Sequence, residues 1–208
     1  MNTKKAYDNW SSQYDSNINR TRDLEALALQ RTLENIHFGT CLEIGCGTGK
    51  NTTWLLTKAT SITAVDLSDE MLAKAKEKIT SPKVNFVQAD ILQDWSFATE
   101  KYDLVSFSLV LEHIQNLEHI FGKISKIIAP GGYVYIGELH PFKQYTGTKA
   151  RFTTSGGEQA VTCFNHNLTD FTDAAKLAGF EITGINEFFD EDDRTAIPRI
   201  IALLLKFK

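Results

Sequence analysis

The chain has 208 residues, 42% of them hydrophobic, which is enough to bury one good core and too few for two full domains. Its formal net charge of -4 argues against the clustered basic face that nucleic-acid binding needs, and Lys4-Lys5 and the Lys206 to Lys208 tail are too short to supply one. No uninterrupted apolar run approaches the roughly 18 residues of a membrane span, and the first residues pass into Tyr7, Asp8, Asn9 and Trp10 without an apolar signal core. Cys41, Cys46 and Cys163 form no C-x-x-C pair, so the expectation is a reduced, cytoplasmic chain with no disulfide framework and no metal site.

Leu24, Leu27, Ala28, Leu29, Leu33 and Ile36 fall on helical spacing, and Gly39 follows as a stop. Thr40 to Ile44 is a short apolar strand and Ser61 to Val65 a second one ending at Asp66, with room for a helix over Lys50 to Lys58 between them. That β-α-β unit implies a parallel pair. Ser68 caps the next helix, with Asp69 and Glu70 in its first turn and Met71, Ala75 and Ile79 at a spacing of four. Val84 to Val87 is a third strand, ending near Asp90, and Tyr102 to Ser108 a fourth.

Leu117, Ile120, Phe121, Ile124 and Ile128 make the cleanest amphipathic stripe in the chain, closed by Pro130-Gly131-Gly132 ahead of a fifth strand from Tyr133 to Leu139. Residues 140–167 break the rhythm with no sustained helical period, and a long irregular insertion in a compact domain is usually functional. Thr169 to Ala178 reads as a helix capped by Gly179. Strands from Phe180 to about Phe189 and from Ile197 to Phe207 then flank a short polar turn over Asp190 to Thr195, and two strands joined so tightly pair antiparallel.

Three alternate glycines, Gly45, Gly47 and Gly49, follow the first strand, where the chain must turn sharply and come close to a ligand. A dinucleotide fingerprint G-x-G-x-x-G fails in both frames, because Lys50 and Thr52 stand where its last glycine belongs. The triphosphate loop G-x-x-x-x-G-K-[ST] fails because Asn51 follows Lys50. In an open α/β sheet ligands bind beyond the carboxyl ends of the strands, so the glycine loop, Asp66, Asp90 and the segment after Ser106 converge on one edge. A carboxylate at Asp66, 19 residues past Gly47, can accept hydrogen bonds from both hydroxyls of a ribose or serve as a helix-entry residue. Cys46 between the glycines reads as a small space-filler.

The glycine motif E-x-G-x-G-x-G after a strand, the downstream acids and the terminal hairpin resemble the class I methyltransferases that use S-adenosylmethionine, in the small stand-alone group that includes the ubiquinone and menaquinone biosynthesis enzymes. The resemblance implies a Rossmann-like, doubly wound α/β fold with a mostly parallel seven-stranded sheet ending in an antiparallel hairpin. It implies one methyltransferase domain over 1–208, with a helical N-terminal cap over 1–37 and an acceptor lid over 140–167. The donor is then S-adenosyl-L-methionine, the product S-adenosyl-L-homocysteine, and the reaction an in-line displacement onto an O, N, C or S nucleophile.

The same resemblance carries donor contacts onto Tyr14, Glu43, Gly45, Cys46, Gly47, Gly49, Asp66, Leu67, Asp90, Ile91, Ser106, Ser108 and Leu109. Asp90 stands where the family holds the adenine amine, Ile91 against the ring, Glu43 near the methionine amino end, Ser106 to Leu109 beside the sulfonium, and Tyr14 in the Y-D element of a mobile cap. Tyr7-Asp8 and Tyr14-Asp15 repeat that element at a spacing of seven. His113, in Leu-Glu-His-Ile, reads as either a general base or a helix-start packing residue. In the insertion, Tyr145 and Phe152 suit apolar contact, Arg151 an acceptor carboxylate or phosphate, and His140 or His166 proton removal. The expected partner is a small-molecule acceptor, with oligomeric state open. A non-catalytic donor-binding or scaffold protein and a tRNA or protein methyltransferase are the competing readings.

Overall fold

The computed structural model describes residues 3–16, 18–148, 151–154 and 157–208, with the backbone alone described for 151–154 and 157–160. Five strands, β1 (Thr40–Ile44), β2 (Ser61–Asp66), β3 (Val84–Gln88), β4 (Tyr102–Ser108) and β5 (Ile128–Leu139), run parallel. The hairpin β8 (Phe180–Phe188) and β9 (Ile200–Phe207) completes a seven-stranded sheet of order β3-β2-β1-β4-β5-β9-β8, with β9 antiparallel to both of its neighbours. The chain winds outward from β1 to β3, then returns to lay β4 on the other side of β1. The strand order reverses there, and the carboxyl ends of β1 and β4 flank a crevice.

The central strands are buried on both faces, so alternate residues feed two cores. Leu42 and Ile44 of β1 and Val105 and Phe107 of β4 face α5 (Leu117–Ile127) and α7 (Leu168–Leu177), and pack with Phe121, Ile124 and Phe171. Cys41 and Leu104 face the other way, with Leu29 and Leu33 of α2 (Arg20–Leu33) and Leu55 of α3 (Lys50–Leu55). Glu43 and Ser106 share that second face and are paired in register. Each large apolar side chain of α5 contributes about 1.5–3 kcal/mol by leaving water.

Local signals set the helix starts. Asn19 accepts from Arg22 N at 3.1 Å, Ser68 from Met71 N at 3.2 Å ahead of α4 (Asp69–Lys78), and Asn116 from His119 N at 3.0 Å. The cap at Asn19 starts α2 four residues before its apolar stripe, and the helix stops at Leu33, short of Ile36. Helix α3 likewise ends at Leu55 and not at Lys58. The expected break at Pro130-Gly131-Gly132 falls within the span of β5. Ile128 pairs with Tyr102 and Tyr133 with Leu104, so the residues between bulge out of the ladder, and Gly131 takes φ +75°.

Helix α1 (Thr3–Tyr14) lies over the strand ends against α4, through Ala6, Trp10 and Met71, while α2 packs flat on β5 and β9. The insertion is more regular than its composition implies, holding α6 (Pro141–Tyr145) and a two-stranded hairpin of β6 (Arg151–Thr154) and β7 (Gly157–Ala160). Among the described residues, no helix is long and apolar enough to cross a membrane.

Candidate active site

The turn after β1 is built by positive-φ glycines. Gly45 (φ +73°) and Cys46 donate to Val65 O at 2.7 and 3.0 Å, which ties the turn to the end of β2. A Cβ on Gly45 would stand 2.2 Å from Val110 Cγ2, so that position is closed to side chains. A Cβ on Gly47 (φ +53°) would meet nothing within 4 Å, because it would point into open space. Gly49 (φ +82°) is the N-cap of α3, packed near Ile79, and lines none of the cavities at the strand ends.

Beyond these strand ends lies a cavity of about 310 Å³ bounded by Gly45, Gly47, Asp66, Leu67, Asp90, Ile91, Ser108, Leu109 and His113, with Thr3, Tyr7 and Tyr14 of the α1 segment over it. Asp66 Oδ2 accepts from Gly47 N at 2.8 Å and Oδ1 from Ser68 N at 2.8 Å. Each carboxylate oxygen keeps further acceptor capacity, directed at the cavity it lines. Burial raises the Asp66 carboxyl above its ordinary range, against those two backbone donors. Asp90 Oδ1 accepts from Leu92 N at 2.9 Å, which orients the carboxylate beside Ile91.

A side chamber of about 50 Å³ shares Tyr14, Gly45, Gly47, Ser108 and Leu109 with the large cavity and adds Arg22, Glu25, Glu43 and Asn51. Glu43 Oε2 accepts from Thr52 Oγ1 at 2.5 Å, and burial pushes its carboxyl up to about 8, with Glu25 and Asp66 adding repulsion. Glu25 accepts from Tyr135 Oη at 3.1 Å and Asn51 Nδ2 at 2.9 Å. Burial lifts it to about 7, against hydrogen bonds from Ser108, Asn51 and Tyr135. Two carboxyls poised near neutrality beside an aromatic ring suit an ammonium group. Cys46 lines this side chamber and not the large cavity, its side chain packed in the α2–α3 core. Ser106 is 1% exposed, deep in the sheet, and, like Gly49, does not line the large cavity or the chambers that adjoin it.

A third chamber of about 130 Å³ meets the large cavity at Tyr7, Tyr14 and Leu109 and is completed by Trp10, Asn19, Thr21, Arg22, Glu112, Leu139 and Thr148. Leu109 has φ +57°, a strained backbone for a branched side chain, at the junction of all three chambers. It is held by its own N–H to Gly137 O at 2.8 Å, and by Glu138 Oε1 accepting from Val110 N and Leu111 N at 2.9 and 2.7 Å.

The three histidines separate. His113 lines the large cavity; its Nδ1 lies 2.8 Å from Thr162 O and its Nε2 2.8 Å from Tyr7 Oη. His140 points elsewhere: its Nδ1 accepts from Phe142 N at 3.2 Å to cap α6, and its Nε2 faces Glu187 at 3.1 Å. Burial lowers its pKa, against the pull of Glu187. His166 is buried against Phe171, with Nε2 2.8 Å from Ile114 O. Neither ring lines the chambers at the strand ends, so the structure does not bring His140 or His166 together with His113. Tyr145, paired with Asn167, is mostly exposed, and the side chains of Arg151 and Phe152 lie outside the described residues.

Sequence reasoning missed Tyr7, Arg22, Glu25 and Asn51. Tyr7 was within reach, because seven residues are close to two helical turns and bring both Tyr-Asp elements to one face. The aspartates then serve as latches: Asp8 accepts from Ser68 Oγ at 2.6 Å and Asp15 from Thr48 Oγ1 at 2.6 Å, with Lys78 also on Asp15.

A methyltransferase domain family matches residues 42–136, the stretch running from within β1 to within β5 and including the glycine loop. An uncharacterized methyltransferase of Emericella nidulans is 26% identical over 98% of this chain and 84% of its own length. A ubiquinone biosynthesis O-methyltransferase of Hydrogenovibrio crunogenus is 28% identical over 55% of this chain, which spans about half of that relative (49%). Among solved structures, a complex of DhpI with SAH superposes with a TM-score of 0.77 at 24% identity, covering 98% of this chain and 94% of the other. Fold, strand order and glycine loop together are those of a Rossmann-like α/β methyltransferase fold. Over 42–136 the chain is thus similar to methyltransferase domains, and its fold is the one seen in S-adenosylmethionine-dependent methyltransferases of known structure.

Proposed function

We propose that this chain binds S-adenosyl-L-methionine in the large cavity and its side chamber, and moves the methyl group to a small-molecule acceptor in the third chamber. The observation that carries the reading is the 2.8 Å hydrogen bond from Gly47 N to Asp66 Oδ2, which sets an open backbone turn and a carboxylate with spare acceptor capacity against the same cavity. Asp66 would take the ribose hydroxyls, Asp90 and Ile91 the adenine, and Glu43 with Glu25 the amino end, with Tyr14 over it. Bound there, the sulfonium supplies an already activated methyl group.

The residues themselves have mostly to orient and exclude water. Well-placed reactants gain on the order of 7–11 kcal/mol from proximity alone, and α1 closes the cavity from above with the rings of Tyr7 and Tyr14. A chamber of about 130 Å³ suits a small acceptor better than a macromolecule. Calorimetric titration with S-adenosylhomocysteine tests the proposal: saturable binding is expected, and Asp66→Ala should weaken it at least tenfold. No binding by the folded wild-type protein at millimolar ligand would remove it.

A further inference from the structure

We infer that Tyr7 and His113 form a proton relay at the acceptor's edge, so that the acceptor is a molecule carrying a protic O–H or N–H group. This rests on the methyl-transfer reading above and adds to it the chemical class of acceptor.

The argument is one of hydrogen-bond direction. Thr162 O can only accept, so His113 Nδ1, 2.8 Å away, carries the proton. In the neutral ring Nε2 then holds a lone pair, and the hydroxyl of Tyr7 at 2.8 Å donates to it. With its proton committed to His113, the phenolic oxygen presents only lone pairs to its surroundings. Tyr7 lines both the large cavity and the third chamber, at the seam where donor and acceptor would meet. A group that can only accept there recognises a partner that donates, and rejects a nucleophile without a proton.

The relay is built, not incidental. Phe164 N donates to Glu112 O at 2.7 Å, which pins the segment bearing Thr162 against the one bearing His113. Tyr7 meets the His113 ring edge-on with centroids 5.6 Å apart, and Asp8 fixes the same turn of α1 to Ser68. The other groups facing the pair are Glu112, 3.9 Å from Nε2, Cys163, 3.8 Å from Nδ1, and, around Tyr7, Tyr14 and Asp66. Burial drives the Tyr7 phenol well above its ordinary range, so it passes a proton on and does not store a charge.

The step balances. The acceptor's lone pair forms the new bond to the methyl carbon, and the carbon–sulfur bond breaks with its electron pair going to sulfur. The acceptor's proton passes to Tyr7 Oη as the phenolic proton passes to His113 Nε2. One positive charge leaves the sulfonium and one appears on the imidazolium, beside Glu112. Tyr7 is the catalytic residue, and His113 a positioning residue that acts through it.

Two measurements decide this. Nitrogen NMR of histidine-labelled protein should show His113 with Nδ1 protonated, and an Nε2 resonance that shifts in Tyr7→Phe. Transfer from methyl-labelled S-adenosylmethionine should be followed to phenol and ethanolamine, with dimethyl sulfide and trimethylamine as aprotic controls. Methyl should reach a protic probe and neither control. Tyr7→Phe should cut kcat about 100-fold or more with S-adenosylhomocysteine affinity within twofold, and His113→Gln should lose activity in kcat rather than in the KM of the protic probe. The inference is overturned by an Nε2–H tautomer, by transfer to either control, by Tyr7→Phe or His113→Gln turning over as wild type, or by no transfer to either protic probe. Failure to bind S-adenosylhomocysteine at all would instead remove the methyltransferase reading beneath it.

Discussion

Adding one methyl group at two neighbouring glycines should produce opposite phenotypes. Gly45 and Gly47 both hold positive φ, +73° and +53°, so alanine at either suffers the left-handed backbone penalty of about 1–2 kcal/mol. At Gly45 the new Cβ also falls 2.2 Å from Val110 Cγ2, and overpacking of that kind adds about 1–3 kcal/mol. The Gly45→Ala total of about 2–5 kcal/mol corresponds to a Tm loss of roughly 4–20 °C for a domain of this size. At Gly47 the Cβ strikes nothing, so Gly47→Ala should lose no more than the backbone term, about 2–8 °C. Its methyl group occupies the wall of the large cavity, however, and S-adenosylhomocysteine affinity should fall tenfold or more. Thermal unfolding and calorimetric titration of both variants suffice. A Gly47→Ala protein that binds like wild type, or a Gly45→Ala protein that melts like wild type, would refute the assignment of one glycine to packing and the other to ligand approach.

Affinity for S-adenosylhomocysteine should rise between pH 6 and 8.5, because Glu25 and Glu43, lifted to about 7 and 8, favour an ammonium only when ionised; titrations across that range with Glu43→Gln should show a flattened dependence. Stability runs the other way: both carboxyls hold protons in the folded state that the unfolded chain releases near its ordinary 4.5, so their contribution falls as pH rises from about 4.5 to 8. The pH slope of Tm should accordingly be shallower in Glu43→Gln. Asp15→Ala removes the contacts to Thr48 and Lys78, which should raise amide exchange across α1 and speed ligand release several-fold with little change in Tm, as stopped-flow displacement would reveal. His140→Ala should lower stability by about 1–2 kcal/mol through the lost α6 cap and leave S-adenosylhomocysteine affinity unchanged, in contrast to any variant of the cavity wall.

What could be read from the residues follows from where each group sits relative to the strands. β1 and β4 were legible to the residue because strands buried on both faces are written as mostly apolar runs, broken here only at Glu43 and by the polar residues of β4, and their carboxyl ends point to the crevice. By the same logic Asp66, at the end of β2, Asp90, two residues past β3, and the turn at Gly45 and Gly47 come together around the large cavity, whereas Gly49 does not. Helix-borne contributors escaped it. Arg22 and Glu25 sit in α2, whose apolar stripe reports only the face against β5 and β9, and nothing in the pattern says that its first turns reach the strand ends. The insertion misled for the reverse reason: His140 and His166 are in loops, where sequence places a residue near a site without fixing its aim, and a cap on α6 and the carbonyl of Ile114 took both rings.

The buried acids explain why the site is arranged as it is. Glu25, Glu43, Asp66 and Glu112 are enclosed around the three chambers, with Arg22 and Lys50 as basic side chains on the wall of the side chamber, and each carboxyl is raised by burial. Isolated from a ligand, that arrangement is unfavourable, since desolvation and mutual repulsion both oppose ionisation. A ligand bearing an ammonium and a sulfonium reverses the sign of both effects, returning the carboxylates to the charged state in which they attract it. Binding should therefore release protons near neutral pH, and calorimetry in buffers of different ionisation enthalpy should find a proton count that rises with S-adenosylmethionine relative to its uncharged-sulfur product. Equal proton release for the two ligands would mean that the acids answer only to the amino end, and that the sulfonium lies beyond their reach.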